Sequence, residues 1–134
     1  MYRSIRVVAV ILAFVIAVAG AGAVRAATHP GPAKSKAITL RLLSATAARS
    51  YSKFMVGALP QFKTGVTKPM FDAVSAQVAP MLKAGYKVSF VSETVQQGFD
   101  ITFWRIDLNK GGALTAQLAE QGGKVGGFAL RPVQ

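Results

Sequence analysis

Cysteine is absent from this chain of 134 residues, and histidine occurs only once. Without cysteine no disulfide can form, so the hydrophobic core alone must hold the fold together. The same absence excludes a lipid-modified cysteine after an N-terminal apolar run, and with it a lipoprotein. A cysteine nucleophile is excluded for the same reason.

The single histidine, His29, lies in the segment ATHPGPAKSKA, whose prolines and glycine are incompatible with regular structure. A metal site needs several convergent donors, so this isolated side chain is interpreted as a solvated residue of a flexible leader. Without an ordered histidine, a Ser-His-Asp triad is excluded as well. The sequence therefore predicts no metal, no cofactor and no nucleophilic catalysis of these kinds.

The N-terminus has the three-part plan of a secretory signal peptide. Two arginines precede an apolar run from Val7 to about Val24. The residues VRA fit the small-x-small rule and predict cleavage after Ala26, with AGA at 21–23 as a second candidate. At about 18 residues the run is also just long enough to span a bilayer as an uncleaved anchor. We expect export to the periplasm or secretion, with removal of the run favoured.

Three parts of the chain follow from this assignment. Residues 1–26 are the signal peptide, residues 27–37 the flexible leader, and residues 38–134 a single domain. A domain of this length can bury one modest core.

A first helical pattern extends from Ile38 to Leu59 and is stopped by Pro60. Its apolar residues recur at steps of three and four, which places them on one stripe of a helix. They are Leu40, Leu43, Ala47, Tyr51, Phe54 and Ala58.

A second helical pattern begins near Thr67, where a cap precedes an early proline, and ends at Gly85. Pro80 lies inside the pattern and is expected to kink or break the helix near Ala79. The buried stripe is predicted to consist of Met70, Phe71, Val74, Val78, Met81 and Leu82.

After Gly85 the period of the apolar residues changes from about 3.6 to 2, which indicates strands. Each gap between strands is short and ends in glycine, as hairpins require, so neighbouring strands are antiparallel. The plan is α+β, with two N-terminal helices packed on one face of a four-stranded antiparallel meander. The predicted strands are 86–95, 99–108, 113–120 and 124–131.

The strand FDITFWRIDL, which contains the only tryptophan, is apolar on both faces. Because side chains alternate along a strand, Phe99, Ile101 and Phe103 share one face of the sheet. Trp104 and Ile106 lie on the other. Two helices cover one face only, and we expect them to cover the Phe99 face. The Trp104 face is then predicted to be an interface, most simply of a sheet-on-sheet homodimer, with a hetero-partner or an apolar ligand as the alternative. Shielding of Trp104 within one chain by sheet curvature or by the C-terminal tail stays open.

Two segments, GFDITFWRIDLNKGG and GGKVGGFALRP, resemble small secreted members of the nuclear-transport-factor-two-like superfamily, also called the cystatin-like cone. The resemblance covers Ile38 to Pro132. It implies a curved sheet wrapped around the helices, an interior that can hold a small apolar ligand, and dimerisation through the outer face of the sheet. Candidate residues for lining such an apolar pocket are Tyr51, Phe54, Phe71 and Phe90.

Enzymes of this superfamily that resemble ketosteroid isomerases or dehydratases place tyrosine, aspartate or histidine inside the cone. Here Tyr51 with Asp100 or Asp107 is the alternative acid-base set, and a buried carboxylate near Tyr51 would support it. Arg105 and Asp107 share one side of a strand and are also explained by a surface ion pair. The favoured function is an exported small binding or protein-interaction domain without evident catalytic machinery.

The net charge of +11 is unevenly distributed. Residues 34–87 contain nine basic residues and one acidic residue, whereas residues 88–134 contain four of each. A one-sided basic surface attracts anionic envelope components, and Arg41, Arg49 and Lys53 are the candidate contacts; a solvated basic face is the alternative. Nucleic acid is not expected, because the protein is predicted to be exported and no recognised basic-aromatic module is present.

Overall fold

The computed structural model describes residues 24–26 and 31–133, in which a short strand and several helices precede an antiparallel meander. Most of the predicted signal peptide, and His29 with its neighbours, lie outside the described residues. Among the described helices, none is long and apolar enough to cross a membrane. The helices are α1 (Ala33–Ala47), α2 (Tyr51–Phe54), α3 (Pro60–Gly65) and α4 (Lys68–Lys83). The strands are β1 (Val24–Ala26), β2 (Tyr86–Gln96), β3 (Phe99–Leu108), β4 (Ala113–Gln121) and β5 (Lys124–Pro132).

The first helical pattern forms α1 and α2 rather than one helix. α1 begins at Ala33, inside the segment predicted to be a flexible leader. Arg49 then adopts a left-handed backbone conformation with φ 55°, which a right-handed helix cannot contain. The Ser50 hydroxyl accepts a hydrogen bond from the amide of Lys53 at 3.3 Å and starts α2. The prediction of a single helix over 38–59 is therefore wrong.

The second helical pattern forms α4 almost as predicted. The Thr67 hydroxyl accepts a hydrogen bond from the amide of Met70 at 3.4 Å, and a proline occupies the first turn. Gly85, with φ 105°, follows the C-terminal end. The break expected at Pro80 does not occur, because α4 continues to Lys83. Pro80 is exposed and lies in the last turn, where only a short piece of helix depends on the bond it cannot make.

The sheet has the strand order β1-β2-β3-β4-β5, and every neighbouring pair is antiparallel. The predicted four-stranded meander is thus confirmed, and β1 adds a strand at the β2 edge that was not predicted. The pairing shifts register between Phe90 and Ser92 and again after Ala119. These two β-bulges bend the strands and increase the local twist.

The helices pack on the Trp104 side of the sheet. Trp104 and Ile106 are both 0% exposed and belong to the same buried cluster as Leu42, Phe54 and Phe71. The side-chain nitrogen Nε1 of Trp104 donates to the hydroxyl of Thr102 at 2.9 Å, so its polar atom is satisfied inside the protein. The expectation that the Trp104 side would face away from the helices, as an interface, is wrong. We call this side the helix face and the opposite side the outer face.

Candidate interaction surface

The outer face of the sheet carries the aromatic and aliphatic residues of β3 that were expected in the core. Phe99, Ile101 and Phe103 alternate along β3 with the core residues of the helix face. Across the neighbouring strand, Ala119 lies opposite Ile101. In β5 the chain continues this face with Gly127, which lies opposite Ala119. A ridge of large side chains therefore runs beside a row of small residues.

The centre of the outer face is buried although it is not part of the helix-side core. Ile101 is 1% exposed, and Ala119 and Ala129 are each 3% exposed. None of the three belongs to the buried cluster that contains Trp104. Phe99 and Phe103 on either side of Ile101 are only half-buried. The sheet thus carries a second apolar layer with aromatic rings at its margin.

One end of this layer depends on a glycine. A Cβ atom at Gly126 would collide with the ring of Phe99 and would lie 3.3 Å from Cδ1 of Leu59. Both side chains therefore close over the bulge where Gly126 leaves room for them. The amide of Leu59 also donates to the carbonyl of Val125 at 2.8 Å, so the segment before α3 pairs with the edge of β5 at this residue.

Polar side chains border the outer face. Nε of Arg105 donates to a carboxylate oxygen of Asp107 at 2.8 Å, and both side chains are about half exposed. The surface ion pair considered from the sequence is therefore confirmed. Such a pair contributes little to stability, but it provides a polar rim of the kind that surrounds protein interfaces.

The aromatic residues predicted to line an apolar pocket lie in or against the core. Phe54 and Phe71 are 0% exposed, and their ring centroids are 4.8 Å apart. The ring of Tyr51 lies 5.7 Å from that of Phe71. Phe90 instead packs against Trp104, with ring centroids 5.2 Å apart and ring planes inclined by 60°. The structure brings Tyr51, Phe54 and Phe71 together, and their rings fill the space between the helices and the sheet.

The acid-base set considered from the sequence does not converge. The Tyr51 hydroxyl donates to the backbone carbonyl of Val66 at 2.6 Å. Its hydrogen-bond donor is therefore used within the protein, and the acceptor is not a carboxylate. Asp100 and Asp107 are both exposed, and their even and odd positions in β3 place them on opposite faces of the sheet. Among the described residues, no three His, Cys, Asp or Glu side chains lie close enough to hold a metal ion.

Glu120 is the buried carboxylate that sequence reasoning passed over. It is 5% exposed; Oε2 accepts a hydrogen bond from the Ser35 hydroxyl at 2.8 Å, and Oε1 accepts one from the amide of Gly123 at 3.1 Å. Ser35 lies in the first turn of α1, where the helix dipole favours a negative charge. The alternation of β4 already placed Glu120 on the same face as Leu118. Its contacts indicate an anchor between α1 and the β4–β5 turn.

The predicted anionic-partner surface is partly used inside the protein. Nη1 of Arg41 donates to the carbonyl of Lys53 at 3.2 Å and thereby satisfies the C-terminal end of α2. Partial burial lowers the pKa of the Arg41 guanidinium by desolvation. Arg49 and Lys53 are both exposed. The structure thus brings Arg41 to α2, and it leaves the two other cations available to solvent.

No protein-family model, curated protein or solved structure matches this chain. The resemblance to the nuclear-transport-factor-two-like cone therefore stays a prediction. The α+β meander, the buried second layer and the basic helical surface are the observations on which a function can be argued.

Proposed function

We propose that the protein is an exported interaction domain that binds its partner through the outer face of the sheet. The observation that carries this proposal is the apolar outer face, on which the partly exposed rings of Phe99 and Phe103 flank the buried Ile101 outside the helix-side core. Export is supported by the signal-peptide pattern of the N-terminus. The basic helical surface lies on the other side of the sheet, so it does not oppose binding to an apolar surface.

A second copy of the chain is the simplest partner for this surface. Phe99 and Phe103 form a ridge, and beside it lie the small residues Ala119, Gly127 and Ala129, with Gln117 between Phe103 and Ala129. A two-fold axis that lies midway between the two sheets and parallel to their strands sets the ridge of each copy over the small residues of the other, so that one patch is complementary to itself. Sheets packed in this way lie about 10 Å apart, with interdigitating side chains.

Burial of the Phe99 and Phe103 rings provides enough free energy to offset the cost of association. Completing the burial of one partly covered phenylalanine ring removes at most about 70 Å² from water, or about 1.8 kcal/mol at about 25 cal/mol per Å². A two-fold dimer completes four such rings. The total is comparable to the free energy that association costs, which makes a reversible dimer the expected state.

Sedimentation equilibrium of the processed protein tests this proposal. The wild type is expected to dimerise reversibly, and Phe103→Ser is expected to be monomeric over the same concentrations. Val56→Ser is the matched control, because Val56 is also an exposed apolar residue, 58% accessible, but lies between α2 and α3. A wild type that stays monomeric at high concentration contradicts the second copy as partner, and a Phe103→Ser dimer contradicts the outer face as the surface.

A further inference from the structure

β1 occupies a defined place on the edge of the sheet. It pairs antiparallel with the middle of β2, with Val24 opposite Thr94, Arg25 opposite Glu93 and Ala26 opposite Ser92. The predicted cleavage site follows Ala26, so all of β1 belongs to the part that processing removes. The inference below rests on the proposed function, which takes the protein to be exported and processed.

The two edges of the sheet differ in what protects them. Along β5, Val125 exchanges hydrogen bonds with the segment before α3, since its amide donates to the carbonyl of Gly57 at 2.9 Å and its carbonyl accepts from Leu59. Along β2, β1 is the strand that pairs with the edge in the part of the chain that the structure describes. Loss of β1 opens the backbone donors and acceptors of 92–94, and an open edge is a template for another strand.

We propose that the β2 edge at Ser92–Thr94 is a strand-acceptor site, which in the processed protein binds an extended peptide segment of another chain with a basic residue opposite Glu93. Backbone hydrogen bonds along the edge provide affinity, and the residue opposite Glu93 provides selectivity. β1 is the internal template for this ligand, because the residue it sets opposite Glu93 is an arginine.

Charge explains the choice of a basic peptide over a second copy of β2. Opposite charges directly across an antiparallel pair stabilise it, and like charges destabilise it. If β2 of a second copy paired antiparallel over the same three residues, Glu93 would lie opposite Glu93. The edge therefore disfavours self-pairing and favours a strand with lysine or arginine at that position.

Two features of β2 limit the length of the strand-acceptor site. The register shift between Phe90 and Ser92 bends β2 at one end, and the strand ends at Gln96 on the other. An incoming strand thus has about five residues of regular edge. Within it Val95 is 56% exposed and offers apolar contact.

A hydroxyl group in the site gives a second element of selectivity. Oγ1 of Thr94 is buried and has no hydrogen-bond partner, and β1 places a valine opposite it. Valine cannot donate or accept a hydrogen bond there, whereas serine or threonine can pair with a threonine across the ladder. The preferred peptide therefore carries a hydroxyl residue next to its basic residue.

Peptide binding to the processed protein, measured by fluorescence anisotropy, tests the proposal. The peptide AGAVRAA reproduces residues 21–27, and AGAVEAA is its acidic match. We expect the basic peptide to bind about tenfold more tightly than the acidic one, and Glu93→Lys to reverse this order. The peptide AGATRAA is expected to bind more tightly than AGAVRAA. In the unprocessed chain, where β1 fills the edge, binding is expected to be lost.

Several outcomes overturn the proposal. Equal binding of the basic and acidic peptides, or an unchanged order in Glu93→Lys, contradicts the role of Glu93, and binding of neither peptide contradicts the acceptor site. Retention of β1 in the envelope form also contradicts it. Sedimentation of the same samples separates this result from the proposed function. If the processed protein is a dimer and binds neither peptide, only the acceptor site is contradicted. If it is a monomer and binds AGAVRAA, only the proposed dimer is contradicted.

Discussion

At the scale of single residues, the most informative side chain is the buried carboxylate of Glu120. It joins the first turn of α1 to the β4–β5 turn through Ser35 and Gly123, and these elements are far apart in sequence. The two hydrogen bonds offset part of the cost of burying this carboxylate, and its removal leaves both donors without an acceptor. Glu120 is therefore a structural residue, although its chemistry alone would allow an acid-base role.

Glu120→Ala is expected to lower the free energy of unfolding by about 2–3 kcal/mol, because a hydrogen-bonded charge is lost and two donors lose their acceptor. Urea denaturation measures this change. Asp107→Ala is the matched control, since it removes a half-exposed carboxylate in a surface ion pair and is expected to cost less than about 1 kcal/mol. Equal losses in the two variants would show that Glu120 is not an anchor.

Gly126→Ala tests the packing at the margin of the outer face. The new methyl group would meet the ring of Phe99, so the variant is expected to lose about 1–3 kcal/mol of unfolding free energy. Gly65→Ala, at a position with open space, is expected to lose none. In a Phe99→Ala background the penalty at Gly126 should largely disappear, as a double-mutant cycle measures. A penalty that persists there would contradict the contact between these residues.

At the scale of elements, the basic surface belongs to α2 and the turn before it. Arg49→Glu with Lys53→Glu is expected to weaken binding of the processed protein to anionic vesicles, and the wild-type binding is expected to fall steeply with salt, because exposed charges are screened within about 10 Å at 0.1 M. Arg41 is left unchanged, since it supports the end of α2. Vesicle co-sedimentation measures both effects.

The control for this experiment is a second pair of exposed cations, Lys110→Glu with Lys124→Glu, which lie near the hairpin turns of the sheet. This pair is expected to leave vesicle binding nearly unchanged. If both double variants weaken binding equally, only the net charge matters and the surface at α2 is not a site.

The elements also show what could be predicted from the sequence. α4 was predictable because Thr67 and Gly85 are strong start and stop signals at the two ends of a regular apolar stripe. The junction between α1 and α2 was not, because the steps of three and four continue across it. A left-handed Arg49 leaves no signal in the periodicity, and the capping residue Ser50 lies between Ala47 and Tyr51, which continue the apolar stripe.

At the scale of the whole molecule, the helices cover the face of the sheet that carries Trp104. Alternation within β3 could not predict which face they cover, because both sides of that strand are apolar. The neighbouring strands decide it: Leu118 and Phe128 lie opposite each other on one face, and Ala119 and Gly127 on the other. Large side chains fill the space under the helices, while small ones leave the outer face flat. The predicted strand positions already contained this difference, but it appears only when the register across three strands is combined.

The candidate interface lies on the outer face of the sheet rather than on the Trp104 side. A sheet with helices on one side needs a reason for apolar residues on the other, and an interface remains the proposal. What changes is the chemistry of the surface. It presents Phe99 and Phe103 beside alanines and glycines, whereas Trp104 holds the core together and its removal is expected to unfold the protein rather than dissociate a dimer.

Hydroxyl-radical footprinting of the processed protein over a concentration series, from about 1 µM to about 1 mM, tests the central claim most directly. Phe99 and Phe103 are expected to be oxidised at low concentration and protected at high concentration, as two outer faces meet. Met70, which is 43% exposed on α4, should be oxidised throughout, and Phe54, which is 0% exposed, should be protected throughout. Oxidation of Phe99 and Phe103 that does not change with concentration would contradict an interface between copies on the outer face.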